Sequence, residues 1–149
     1  MKLAEALIER KNLKTRIDQI VERMKENVLV EEGDTPDEDI IELSKTYESM
    51  INRFETLVNR INKTNHEMML DHMTIAEAIA KRDCYKLKIS THQKVKDAVT
   101  AKKRGYISQT KYTRMIDVAE YQKKIDELSR SYRELDTKIQ SLNWTVDLL

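Results

Sequence analysis

The groups in this 149-residue chain best suited to chemistry are three histidines, one cysteine and the acids near them. His66-Glu67 opens like a zinc-peptidase motif, but that chemistry needs a second imidazole one helical turn on, where Leu70 stands. No Glu-x-x-His occurs anywhere, so the carboxylate-and-imidazole spacing of di-iron bundles is missing as well. His66, Asp71 and His72 lie close enough in sequence to hold a metal in a connector, although Asp and His are equally ordinary as solvated loop residues. Cys84 and His92 share a helical segment, yet eight residues separate them by roughly 12 Å along a helix axis, beyond direct proton transfer. A packed, inert thiol fits Cys84 better. Gly33 and Gly105 are the only glycines, so no glycine-rich phosphate loop can be built. These residues imply no metal and no cofactor.

Charge carries more information. Residues 81–114 hold eleven Lys or Arg against Asp83 and Asp97, net +9, while residues 31–56 hold nine Asp or Glu against Lys45 and Arg53, net −7. The basic block, with Tyr106 and Tyr112 beside it, has the composition of a nucleic-acid surface. The acidic block competes for the same cations, within the chain or across an oligomer, and the formal net charge is only +1. Strong nucleic-acid binding is therefore not expected.

The elements that must carry these residues are helices. Gly 2 and Pro 1 leave few places for the chain to turn, and 36% charged with 5% aromatic residues describes thin, high-surface packing. A first helix over 2–29 has a seam spaced by threes and fours at Leu3, Ala6, Arg10, Leu13, Ile17, Ile20, Met24 and Asn27, with Arg10 and Asn27 as polar interruptions. Thr35-Pro36-Asp37-Glu38 reads as a capped start for a second helix over 36–65, whose seam is Ile40, Leu43, Tyr47, Met50, Phe54, Leu57, Ile61 and Thr64. After a connector over 66–73, Thr74 and Glu77 form a capping box for a third helix over 75–104, ended by Gly105. Its apolar residues, among them Ile79, Leu87, Ile89, Val95 and Val99, spread over more than one face. The β-branched and aromatic run between Gly105 and Ile116 predicts an extended excursion or short hairpin. Asp117 and Glu120 then open a fourth helix over 118–143 with the seam Val118, Tyr121, Ile125, Leu128, Tyr132, Leu135, Ile139 and Leu142. The fold class is all-α: an antiparallel bundle of heptad-patterned helices forming a single domain over 1–149.

One cysteine permits no intramolecular disulfide, Glu5, Glu9 and Arg10 interrupt any apolar leader core, and no run of about 18 apolar residues occurs. A cytoplasmic protein without membrane contact is the expectation.

Several segments resemble a bacterial septicolysin-like family of helical proteins: Met1 to Leu7, Arg60-Ile61-Asn62-Lys63-Thr64-Asn65, Ala80 to Asp83, Leu135 to Gln140, Asn143-Trp144-Thr145 and Leu148-Leu149. The resemblance spans essentially the whole chain, and Arg-Ile-Asn-x-Thr-Asn and Asn-Trp-Thr are its specific pieces. Through the family's name it implies a pore-forming haemolysin, and it supplies no catalytic residues. If the helices alternate up and down, Glu5, Arg60, Asn62, Asn65, Arg82, Asp83, Asn143 and Trp144 collect at one end. There they serve as caps and surface pairs, or as a polar ligand-binding site walled by Trp144. With no catalytic constellation, the residues point to a non-enzymatic assembly or interaction protein. Tyr47, Phe54, Tyr121 and Tyr132 on their seams, with a third helix apolar on two faces, predict a homo-oligomer. The alternatives are the pore-former and a small-ligand or enzyme site at the Arg- and Asn-rich end.

Overall fold

The structure, a computed structural model, describes residues 1–104 and 111–149 and is all-α apart from one minimal hairpin. In chain order the elements are α1 (Leu3–Asn27), α2 (Ile40–Glu67), β1 (Met69–Leu70), β2 (Met73–Thr74), α3 (Ile75–Arg104) and α4 (Val118–Thr145). They group into two compact units, Met1–Met68 with Leu142–Leu149, and Met69–Ser141.

In the first unit α1 and α2 form an antiparallel helical hairpin, with Glu9 paired to Arg53 and Arg23 to Glu38. The threes-and-fours spacing keeps one face of each helix turned to its neighbour, and the seam positions Leu3, Ala6, Leu13, Ile17, Ile20, Leu43, Leu57 and Ile61 are all buried. Burying each Leu or Ile contributes about 1.5–3 kcal/mol. Arg10 stands exposed at its seam position, so it interrupts the pattern without entering the core. Asn27, the other interruption, is buried and clamps the helix end. Its amide donates to the Arg23 carbonyl at 2.9 Å and its oxygen accepts from the Glu38 backbone N–H at 2.9 Å.

The second helix begins later than the Thr35-Pro36 signal indicates. Asp39 is the N-cap, its carboxylate accepting from the Ile41 N–H at 2.8 Å. Glu38 cannot close a capping box with Thr35, because its carboxylate is held by Arg23 and its N–H by Asn27. Tertiary partners outcompete the local cap. Within the loop, Gly33 takes φ of +94°, a left-handed conformation that glycine adopts without steric cost.

The second unit opens with the β1–β2 hairpin, in the register Met69↔Thr74 and Leu70↔Met73, in a segment that the sequence marks only as a connector. Asp71 turns the chain at φ of +55°, a conformation that Asp tolerates. The Thr74–Glu77 capping box forms as expected: Thr74 N–H donates to the Glu77 carboxylate at 2.7 Å and Glu77 N–H to the Thr74 hydroxyl at 3.2 Å. These bonds hold Glu77 below the usual carboxylate range, the backbone bond from Thr74 being the largest cause. Residues 111–117 contain no strand, and the rest of the expected excursion, 105–110 with the Gly105 terminus, lies outside the described residues.

Helices α3 and α4 run antiparallel, as Arg82 bonds Asp136 while Lys96 bonds Gln122. Among the buried and half-buried positions of α3 are Ile75, Ala78, Arg82, Tyr85, Ile89, His92, Lys96 and Val99, with Ala76, Ile79, Ser90 and Gln93 half-buried beside them. The first eight form a regular heptad seam, hidden in the sequence because Arg82, His92 and Lys96 occupy it. Each polar member has a partner on α4: Asp136 for Arg82, Gln122 for Lys96, and the Tyr121 ring 5.4 Å from the His92 ring. Leu87 and Val95, two of the apolar residues that the sequence spreads over more than one face, are exposed.

Candidate functional site

The residues expected at one end of the bundle divide between the two units. Glu5, Arg60, Asn62, Asn65, Asn143 and Trp144 belong to the first, Arg82 and Asp83 to the second.

In the first unit most of these groups hold the chain together. After α4 ends, the chain continues extended beside the N-terminal residues. Leu3 N–H donates to the Val146 carbonyl and Leu148 N–H to the Met1 carbonyl, both at 2.9 Å, around a Lys2–Asp147 bridge. Lys2 adds an ion pair to Asp147 at 2.8 Å, which draws the Asp147 carboxyl below its ordinary range, chiefly by hydrogen bonding. From α2, Arg60 donates to the carbonyls of Leu149 at 2.9 Å and Leu148 at 3.3 Å. Thr64 is fully buried. Its hydroxyl donates to the Arg60 carbonyl at 2.8 Å and accepts from Leu149 N–H at 3.0 Å. Glu5 accepts from Lys2 N–H at 2.7 Å and so caps α1. Asn143 is buried, Asn62 and Trp144 are exposed, and Asn65 is half-buried. Trp144 is thus exposed beside a strap rather than walling a polar pocket. Thr64, which the sequence shows as a seam position within the Arg-Ile-Asn-x-Thr-Asn segment and not among the candidate site residues, is the node of this brace. Its signal was a hydroxyl at an otherwise apolar heptad position.

In the second unit Arg82 bonds Asp83 at 2.8 and 3.0 Å and Asp136 at 3.2 Å. Partial burial would lower the Arg82 pKa, but the two carboxylates outweigh it and raise the value above normal. Asp71, considered as a metal ligand, is bonded instead to Lys138 at 2.7 Å, which lowers its pKa. His92 bonds the Lys88 carbonyl at 2.7 Å, and Cys84 is exposed rather than packed. Among the described residues no three His, Cys, Asp or Glu side chains lie close enough to hold a metal ion.

One surface available for binding among the described residues is a furrow along the α1–α2 hairpin. Three adjoining hollows of about 490, 350 and 410 Å³ share Arg53 as a wall. Leu13, Met50 and Leu57 contribute apolar surface, and Glu9, Arg16, Lys45 and Arg60 contribute charge. Such a surface offers no nucleophile poised beside a base. It suits an elongated partner more than an enclosed small molecule.

Comparison with known proteins places the chain. Residues 10–148 match the model of a family of unknown function, DUF6847. The chain belongs to this family. A crystal structure of a functionally unknown conserved protein from Corynebacterium diphtheriae is 34% identical to this DUF6847 chain, with a TM-score of 0.92 over 100% of this chain and 99% of that one. No curated protein matches. The DUF6847 model begins after Met1–Leu3 but includes Arg60, Thr64 and the strap as far as Leu148. No helix among the described residues is long and apolar enough to cross a membrane.

Proposed function

We propose that this DUF6847 chain is a non-enzymatic assembly protein that associates with further copies of itself through the outer face of α3. One observation carries the reading. Opposite its seam, α3 presents Ala80, Cys84, Leu87, Thr91, Val95 and Ala98, all exposed and all uncharged, with Leu87 68% accessible. Their spacing of threes and fours aligns them in one stripe about 27 Å long at 1.5 Å per residue. In a chain with 36% charged residues, an uncharged stripe on an exposed helix face marks a surface that another element covers.

Light scattering tests this directly. The expected mass exceeds 17.6 kDa and rises with concentration, and Leu87→Glu returns it toward the monomer value without loss of helix content. A mass of 17.6 kDa for the unaltered chain from micromolar to millimolar concentration overturns the reading.

A further inference from the structure

We infer that the occupant of the α3 stripe is the α1–α2 tip of a second copy, an acid-ringed aliphatic knob; this rests on the self-association proposed above and names its two surfaces. The tip carries Val28, Leu29 and Val30 in succession, exposed by 61%, 85% and 47%, with Ile41 exposed by 63% at the start of α2. Three consecutive exposed aliphatic residues are costly to leave in water, and here they sit on a shaped loop. Asn27 clamps Glu38, the Arg23–Glu38 ion pair closes the base, and Asp34 N–H donates to the Glu31 carbonyl at 3.0 Å. The knob is formed before any partner arrives, which reduces the ordering cost of docking.

Charge selects the partner. From residue 26 to 44 there is no Lys or Arg, and Glu31, Glu32, Asp34, Asp37, Asp39 and Glu42 surround the aliphatic residues. Two such tips repel one another. At 100° per residue, Lys81 and Lys88 flank one side of the α3 stripe, and Lys94 and Asp83 flank the other. Asp83 is engaged by Arg82, so the free charge along the stripe is basic. Two α3 stripes therefore also repel one another. The unlike pairing is the one that joins apolar to apolar and acid to base.

A charge-swap experiment on the full chain tests this. Lys88→Glu with Lys94→Glu makes the stripe acidic, and replacing Glu31, Glu32, Asp34 and Asp37 by Lys, which leaves only Asp39 and Glu42 of the six surrounding acids, makes the tip basic. All six side chains are exposed, so each variant keeps the helix content of the parent. Each variant alone is expected to associate roughly tenfold or more weakly, because like charges then meet. Mixing the two variants is expected to restore association, since an acidic stripe then meets a basic tip. The light-scattering mass of the equimolar mixture reads this directly. Undiminished association of either variant, or a mixture no heavier than its separate components, overturns the assignment of the surfaces while leaving self-association standing. A chain that is monomeric before any substitution overturns both.

Discussion

At the scale of single residues, the most consequential position is one that does no chemistry. Thr64 has no accessible surface, and one hydroxyl joins α2 to the C-terminal strap through a bond given to Arg60 and a bond taken from Leu149. Thr64→Val keeps the shape and removes both bonds, for an expected loss of about 1–2 kcal/mol. At roughly 2–4 °C per kcal/mol for a chain of this size, the midpoint of thermal unfolding falls by several degrees. Thr64→Ser removes a methyl group and keeps the hydroxyl, so its loss should be near 1 kcal/mol. Hydrogen exchange separates the mechanisms. The Leu149 amide should exchange faster in the Val variant and stay protected in the Ser variant. Equal protection in both would show that the strap is held by Arg60 and the Lys2–Asp147 bridge without Thr64.

At the scale of elements, the polar layers of the α3–α4 seam set the prediction. The Arg82 and Asp136 side chains are 22% and 32% exposed, so their ion pair is only partly desolvated. Arg82→Met leaves Asp136 without its cation and Asp136→Leu strips Arg82 of one partner; each should cost about 1–2 kcal/mol, below the 3–5 of a fully buried pair. The double substitution should recover much of that loss, giving a coupling of about 1 kcal/mol in a double-mutant cycle by chemical unfolding. Strict additivity would show that Asp83 alone satisfies Arg82. This seam also explains what the sequence concealed. In α1, α2 and α4 the heptad positions are mostly apolar, so reading Leu13, Ile17 and Ile20, or Ile125 and Leu128, located the buried faces correctly. In α3 the same positions hold Arg82, His92 and Lys96 while Leu87 and Val95 face outward, so hydropathy showed apolar residues on more than one face and did not single out the buried one. The later start of α2 was equally hidden, because Glu38 is taken by residues of another helix. Of the candidate end residues, those in the first unit were placed by the helix ends, whereas the strap over 146–149 had no periodicity to announce it. The β1–β2 hairpin escaped because two-residue strands cannot show alternation.

At the scale of the whole molecule, the question is which polyanion or partner the basic helix meets. The blocks of residues 81–114 and 31–56 carry net +9 and −7, and the sum over the chain is +1, so there is no general pull toward DNA. A duplex laid along the outer face of α3 would meet Lys81, Lys88 and Lys94 together with the uncharged stripe. Neutralising about three phosphates gives a log–log salt slope near −3 and only weak affinity at physiological ionic strength. The acidic tip of a second copy competes for the same lysines, and it brings aliphatic side chains that a phosphate backbone cannot supply. The expectation is therefore no shifted band in a gel assay near 0.15 M salt at micromolar protein, with weak binding emerging at low salt. Replacing Glu31, Glu32, Asp34 and Asp37 by Lys, which frees α3 from its proposed partner and adds cations, should strengthen DNA binding in parallel with the loss of self-association. Tight, salt-sensitive binding by the unaltered chain would show that the acidic residues do not compete for α3, and the outer face of that helix would then be a nucleic-acid surface.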